Sequence, residues 1–439
     1  MRVLLSIWNE IRSWPHNVRL FFWANLFYQI GTGMFSVLYN LYIQGLGYPD
    51  VMNGRIISIQ SLATAILFIP VGLMGDRFSR KKLLVLGALA SGLFFVGRSF
   101  AIGEQSLLLL AICSGIFASI FQVMAIPFLA ENVEKSKRLR MFSYLACLTL
   151  AAQVLGNTGG GVLADILQFT GLTYVLSLQL VLLLGSIATL ASFIPMAMIR
   201  EHPVSAVSSA PAVNIIENKQ VEQSTPATVI TSAPSAPSTT HSDTVFISRF
   251  LLAQLLTGLG SGLVVPYLNL YFTNRFAVSL TSMSILISLG QLMTIVSMLL
   301  GPSLAARIGA VRAVVVFQLL SLPFLLLTGF TNVLIIASVS FLFRQALMNA
   351  ANPLQSSIMV DRVSDKRRSI ANSLMQTVFM LGWASMGPVQ SYLVTSYGTY
   401  WGYAIAFSIT GILYTISSLL YYFMFRKPTN NHVQAIPSS

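Results

Sequence analysis

The chain is short of charge. Only 9% of its 439 residues are Asp, Glu, Lys or Arg, while 55% are apolar; soluble domains carry about 25% charged residues. That shortage excludes a water-soluble globule. Acidic residues are scarcest, 13 against 26 Lys and Arg, and none of them stands in the middle of a long apolar run. Cys113 and Cys147 are the only cysteines and fall in separate runs, so neither a disulfide framework nor a thiolate metal site is expected. No grouping of nucleophile, base and orienting residue occurs either. Neither an enzyme nor a cofactor is expected.

What the sequence has instead is length of greasy chain. Twelve apolar runs, each near the roughly 20 residues that span a bilayer, lie at about 20–43, 52–75, 83–102, 106–130, 141–167, 172–197, 246–272, 281–305, 311–330, 333–356, 369–395 and 400–425. The net charge of +13 would suggest nucleic acid in a soluble protein. Here the positions of the cations matter more than their sum. All 26 Lys and Arg except Arg55, Arg98, Arg275 and Arg344 fall in the termini or in the loops after even-numbered spans. Positive loops stay inside, so both termini are expected in the cytoplasm, and no nucleic-acid partner is implied. Arg55, Arg98 and Arg275 are placed near the outer side.

Residues 200–244 differ from their surroundings: SAPSAPSTTHSD and VSSAPAV are Ser, Ala, Pro and Thr tracts without apolar period. They form a polar linker, read as a passive tether, with a phosphorylation or partner site as the other reading. The chain then divides into an interfacial segment 1–19 bearing Trp8 and Trp14, a six-span unit 20–199, the linker 200–244, a second six-span unit 245–426 and a tail 427–439.

The two units are copies. Gly31, Gly33, Asn40, Leu41 and Tyr42 correspond to Gly260, Gly262, Asn269, Leu270 and Tyr271, and Gly72 to Gly301, all at an offset of 229. Glu131, Val133, Arg138 and Ser143 match Asp361, Val363, Arg368 and Ser373 at 230, and Gly156 matches Gly387 at 231. Two unrelated greasy segments would not keep one register. The fold class is therefore all-α and membrane-embedded, with twelve transmembrane helices in two pseudo-symmetric six-helix bundles.

Polar residues inside hydrocarbon are costly and usually face a cavity. In span 1, Asn25, Gln29, Thr32, Ser36 and Asn40 recur every three to four positions and share one helical face. The matching face of span 7 carries Gln254, Ser261 and Asn269. These two faces either line a substrate path or hydrogen-bond helix to helix. Arg344 lies eleven residues into span 10, roughly 16 Å from its outer end at 1.5 Å per residue. A guanidinium at that depth needs a pair, water or a ligand. It either recognises an anionic or strongly polar substrate or is a structural arginine bonded to carbonyls and to Gln345 or Asn349.

Residues 72–82 read GLMGDRFSRKK. The positions of Gly72, Asp76, Arg77, Arg80, Lys81 and Lys82 resemble the loop between helices 2 and 3 of the major facilitator superfamily, with Ser79 in place of its second glycine. By that resemblance Gly72 lets two helices approach and Asp76 accepts hydrogen bonds at a helix terminus, biasing one conformation. The second copy has Ala306 where the first has Asp76, so this contact is asymmetric. Glu131 with Arg138, and Asp361 with Arg368, resemble the acidic-then-basic loops of the same superfamily. They either form salt bridges that gate the cytoplasmic side or are solvated loop charges. Span 5 runs through Gly156, Asn157, Gly160 and Gly161, similar to the G-P-x-x-G-G motif of the drug-efflux branch with Asn157 at the proline. Span 11 keeps Gly387 and Pro388. Such small residues are expected to let spans 5 and 11 press on the opposite half.

The resemblance covers residues 20–425 and implies a monomeric secondary transporter of the plasma (inner) membrane. It works by alternating access, has membrane lipid and a small-molecule substrate as partners, and takes a coupling ion where transport is driven. Efflux of a small organic compound is the first expectation, uptake of an organic anion or sugar-like solute the second. A non-transporting sensor or lipid-handling relative is the alternative of another class. Many proton-coupled efflux members carry a carboxylate in span 1 or 4 and an arginine in span 4; this chain has neither.

Overall fold

The computed structural model describes residues 14–134, 137–200, 240–363 and 365–425. Helix accounts for nearly all of it. The N-terminal half comprises α1 (His16–Gly45), α2 (Asp50–Arg77), α3 (Arg80–Phe100), α4 (Glu104–Glu131), α5 (Arg138–Phe169), α6 (Tyr174–Ala191) and the short α7 (Phe193–Ala197). The C-terminal half comprises α8 (Thr240–Val264), a 3₁₀ turn at Val265–Tyr267, α9 (Leu268–Phe276), α10 (Leu280–Ile308), α11 (Ala310–Phe330), α12 (Leu334–Arg362), α13 (Asp365–Ser385) and α14 (Gly387–Phe425).

Among the described residues, nine stretches are long and apolar enough to cross a membrane. One of them, Ser373–Phe425, runs to 53 residues. It bends back at Gly398, whose φ of 76° and ψ of 175° suit a residue without Cβ, so it makes two crossings. The two remaining spans are α1 and α5. Both are diluted by Asn, Gln, Thr and Gly; α5 packs along α10 of the other half, while α1 packs on α5 and α6 and touches the other half at α9. The twelve spans predicted from sequence are all helical. Span 7 is broken at Pro266 into α8 and α9, because proline lacks the N–H that a continuous helix needs.

The pairing of helices repeats. In the first half α1 packs on α5 and α6, α2 and α3 pack on α4, and α3 packs on α6. In the second, α8 packs on α13 and α14, α10 and α11 pack on α12, and α11 packs on α14. The halves meet along α5 with α10 and along α2 with α13 and α14.

The apolar core shows how the halves are tilted. At the end where α1 and α9 finish, here the far end, one cluster draws on both halves and includes Tyr39, Tyr42, Leu178, Tyr267, Tyr271 and Phe407. At the near end, where α1 and α8 begin, there are two clusters. One contains Phe21, Phe128 and Met141 of the first half, the other Phe250, Leu354 and Tyr421 of the second. Outside, Ile66, Leu73, Leu109, Phe169, Ile335 and Phe423 are exposed, as a lipid-facing surface requires.

Candidate functional site

The polar face of α1 enters a network that reaches the other half. Asn25 Nδ2 donates to Thr149 Oγ1 at 3.0 Å, and Gln29 Nε2 to Asn25 Oδ1 at 3.4 Å. Thr32 Oγ1 and Gln153 Nε2 donate to Gln29 Oε1 at 3.1 and 3.0 Å. From α10, Gln291 Nε2 donates to Gln153 Oε1 at 3.4 Å. Asn157 is best satisfied with its Nδ2 donating to the carbonyls of Gly33 (2.8 Å) and Gln153 (3.3 Å), while its Oδ1 accepts from Gln291 Nε2 at 3.3 Å. Asn25 is buried, Gln29, Thr32, Gln153 and Gln291 are half-buried, and Ser36 is exposed although it belongs to a central helix. Gln153 and Gln291 escaped the sequence reading, which looked for stripes. Each is a single amide in mid-span, a signal that a search for isolated Gln and Asn would have found.

Asn40 and Asn269 form a junction between the halves. Asn40 Nδ2 donates to the Pro266 carbonyl at 2.9 Å, and Asn269 Nδ2 donates to the Val37 carbonyl at 2.8 Å. Since Val37 and Pro266 stand 229 apart, as do Asn40 and Asn269, the two bonds are mates under the repeat. A third, Asn40 Nδ2 to Asn269 Oδ1 at 3.3 Å, joins the amides directly. The broken turn at Pro266 aims that carbonyl sideways. Two further bonds close the same end: Ser391 Oγ donates to the Asp50 carbonyl at 3.0 Å, and the Thr281 N–H at the start of α10 donates to Asp165 Oδ2 at 2.8 Å. The described hydrogen bonds between the halves run from the Gln153–Gln291 level to the far end.

Arg344 is 3% exposed. Its NH1 donates to Gln345 Oε1 at 3.0 Å and its NH2 to Tyr414 OH at 3.2 Å, and Tyr414 OH meets Ser261 Oγ at 2.7 Å. Ser261 thus joins the span 7 face to the arginine, and Gln254 on the same face is half-buried. Asn349 contacts Thr294 and the Gln345 carbonyl rather than the guanidinium. Arg98, read from sequence as an outer-side charge, is 4% exposed and reaches inward. Its position two residues from the end of α3 gave the wrong impression, because a long side chain can turn toward either side.

The glycine faces divide between two tasks. A Cβ on Gly161 would meet Ser284 Oγ and, at 2.6 Å, the Leu280 carbonyl; one on Gly54 would meet Ser391 Oγ and, at 2.6 Å, the Gly387 carbonyl. At the first crossing one glycine faces one serine; at the second Gly54 faces Ser391 and Gly387 faces Ser58. Gly156 and Gly160 depart from the expectation, since they pack on Ile30 and Met34 of α1 within their own half. Pro388 lies in the first turn of α14, where its missing N–H is harmless. The expectation for Gly72 also needs correcting: nothing lies within 4 Å of a Cβ built there, whereas Gly75 sits 2.6 Å from Met124. Among the described residues no helix approaches Gly72. Arg80 pairs with Glu131 at 2.8 Å and donates to the Pro127 carbonyl at 3.2 Å, both within the first half. Lys81 is half-buried, and the side chains of Asp76, Arg77, Arg138, Asp361 and Arg368 lie outside the described residues. Among the described residues no three His, Cys, Asp or Glu gather to hold a metal.

Comparison with known proteins gives a consistent result. The sequence profile described as Major Facilitator Superfamily matches residues 21–238 and 250–438. A multi-drug resistance efflux pump, PmrA, of Streptococcus pneumoniae is 25% identical over 206 residues, 45% of this chain and 49% of that protein. An uncharacterized MFS-type transporter of Methanocaldococcus jannaschii is 27% identical over 31% of this chain and 35% of its own. The chain thus matches half or less of the length of these curated relatives. Among solved structures, a bacterial homologue of the human lysosomal transporter Spinster, inward-facing and unoccupied, superposes with a TM-score of 0.71 at 14% identity over 94% of this chain and 97% of that one. The nucleoside transporter NupG gives 0.69 at 12% identity over 94% of this chain and 100% of its own. Likeness at that identity is a likeness of fold.

Proposed function

The chain belongs to the major facilitator superfamily, and from that premise we propose that it is a secondary active transporter that works by alternating access and exports a small organic compound. The observation that carries this reading is the contrast between the ends of the molecule. One apolar cluster and a repeat-related pair of amide-to-carbonyl bonds join the halves at the far end, while the near end keeps two separate clusters. Two bundles whose described contacts with one another lie toward one end form a cavity open at the other. Rocking about the α5–α10 and α2–α13 contacts would exchange the open side.

The substrate path in this reading runs past Gln29, Thr32, Ser36, Gln153 and Gln291 on one side and Gln254, Ser261 and Arg344 on the other. The cations in the near-end loops support a cytoplasmic position for that end and both termini, and the bacterial relative supports a plasma membrane. The chain acts as a monomer in contact with lipid. The glycine-rich α5 and the partial likeness to an efflux pump favour export. Absence of a mid-span carboxylate speaks against proton coupling through a buried acid. Uptake of an organic anion or sugar-like solute is the second reading, and the buried guanidinium of Arg344 is what favours it.

Purified protein in liposomes, offered a panel of neutral, cationic and anionic compounds with and without a pH gradient, tests the proposal. Export reading and structure agree if one class is moved saturably by protein of native orientation. Saturable binding without flux would fit a sensor and overturn the transport reading.

A further inference from the structure

Two guanidiniums lie inside the bundles, and among the described residues neither has an acidic partner. Arg98 NH1 donates to Gln60 Oε1 at 2.9 Å and to Ser114 Oγ at 3.0 Å, and its Cζ lies 3.9 Å from the centre of the Tyr39 ring. Arg344 NH1 donates to Gln345 Oε1 at 3.0 Å. The Nε of each arginine and the hydroxyl of Tyr39 are buried without a partner.

The repeat relates these two places although the sequence disguises it. In the register set by Glu131 and Asp361, 230 apart, Ser114 is the mate of Arg344 and Gly115 of Gln345; in that of Gly72 and Gly301, 229 apart, Gln60 is the mate of Leu289, the neighbour of Gly290. The contacts follow the repeat to within one residue. A Cβ on Gly115 would strike the backbone of Gln60, and one on Gly290 would lie 3.6 Å from Gln345. Each half therefore brings a glutamine on one helix against a glycine on the other, with the helices exchanged. In each half a guanidinium donates to that glutamine. In the second half the arginine is rooted in α12. In the first, Arg98 comes from α3 and places its N–H on the hydroxyl of Ser114, the residue at the corresponding position.

A buried guanidinium is costly unless an opposite charge meets it, and neutral amides and hydroxyls satisfy hydrogen bonds without cancelling charge. Gln60 is ten residues into α2 and Gln345 eleven into α12, roughly 15–17 Å from the far end at 1.5 Å per residue. Both pairs thus sit near mid-membrane. We propose that the Arg98–Gln60 pair is an anion-recognition subsite, the repeat counterpart of Arg344–Gln345, and that it takes a carboxylate or similar oxyanion of an organic compound. The planar fork of the guanidinium suits two oxygens, and the Gln60 amide supplies a further donor. The inference rests on the transport reading and names its substrate class.

The test uses full-length protein in lipid nanodiscs with benzoate as the anionic probe and benzamide as its neutral counterpart. Benzoate should raise the melting temperature of the parent protein where benzamide at equal concentration does not. Arg98→Gln should weaken benzoate binding at least tenfold. If Arg98→Gln fails to fold, Arg98→Lys replaces it: a folded lysine variant with binding weakened threefold or more supports the subsite. Benzoate binding left unchanged in either folded variant, even with a lowered melting temperature, makes Arg98 structural and overturns the proposal. A parent protein that moves neutral or cationic compounds and ignores benzoate overturns this subsite and leaves the transport reading intact. No flux of any compound removes the transport reading itself.

Discussion

The far end and the near end of this molecule are built from the same twelve helices yet hold together differently. At the far end the repeat is well kept: Asn40 and Asn269 reciprocate, and Tyr42 of α1 and Tyr271 of α9 each donate to a carbonyl two helices on, that of Ser99 in α3 and that of Thr328 in α11. At the near end the contacts among the described residues stay within one half. Asn17 holds Asn132 and both the N–H and the carbonyl of Arg200, and Arg80 holds Glu131. The sequence is asymmetric there too, with Asp76 in one copy and Ala306 in the other. A closure made of mutual bonds between equivalent residues can form and break as a unit. One that relies on a carboxylate in a single copy has a separate control.

The largest effect should come from filling a far-end crossing. A methyl at Gly387 would strike the Gly54 carbonyl and Ser58 Oγ, and neither the backbone nor the buried hydroxyl can retreat without parting the halves. Overpacking of this kind costs about 1–3 kcal/mol. Gly387→Ala should abolish most transport and lower the melting temperature, whereas Gly159→Ala, with nothing within 4 Å, should do neither. Comparable flux in the two variants would mean that the far end does not close as described.

The reciprocal amides come next. Removing either asparagine side chain takes away bonds worth about 0.5–1.5 kcal/mol each, enough to move the conformational balance about tenfold toward a far-open state. Asn40→Ala and Asn269→Ala should therefore act alike, and the double variant should add less than the sum, because both break one junction. Replacing Cys113 and Cys147 by serine and placing a cysteine at Ser36 gives the readout. Labelling by an impermeant maleimide from the far side should accelerate in each variant. Opposite effects of the two would deny the symmetry of the junction.

How much of this was legible in the sequence depends on whether a feature is periodic. Twelve spans and the duplication followed from long apolar runs and a constant offset; of the linker 200–244, residues 201–239 lie outside the described residues and 240–244 already belong to α8. The stripe of α1 was visible because its residues repeat every three to four positions. Which stripe members bond across the halves was not visible, since Asn40 and Gln29 belong to the same face and only the tilt of the bundles separates the junction from the path. Arg98 was misplaced for a related reason: helix position fixes the root of a long side chain and leaves its charged end free over several ångströms. The exchange of Gln60 and Gly115 for Gly290 and Gln345 hides from any alignment, because chemistry is kept while residue identity at each position is not.

Arg344 sharpens the contrast at the level between the two ends. If it recognises substrate, Arg344→Lys should weaken binding of anionic or carbonyl-bearing compounds, since an ammonium lacks the planar five-donor fork. Arg344→Gln should raise the apparent substrate constant about tenfold in folded protein. A structural arginine would instead show a lower melting temperature with unchanged affinity, because the Tyr414 bond ties α12 to α14 and the Gln345 bond fixes the guanidinium. Melting temperature and binding measured on the same preparation separate these outcomes.

The smallest effect is expected at the near end, at Gly72. Its repeat mate Gly301 is closely packed, 2.8 Å separating a Cβ there from the Ala350 carbonyl, while no described residue lies within 4 Å of a Cβ on Gly72. In the conformation described, Gly72→Ala should therefore leave the melting temperature within about one degree of the parent, and alanine even gains roughly 0.5–1 kcal/mol in helix propensity. Gly301→Ala should lower it. Alternating access adds a second expectation, because closing the near end must bring the halves together on the side where Gly72 now faces open space. Flux should then fall modestly, about twofold, although stability does not. Stopped-flow transport beside a melting curve resolves the two. A Gly72→Ala protein that is both as stable and as fast as its parent would show that the near end closes without using this face of α2, and would shift the closing contact toward Arg80 at the start of α3 and Glu131 at the end of α4.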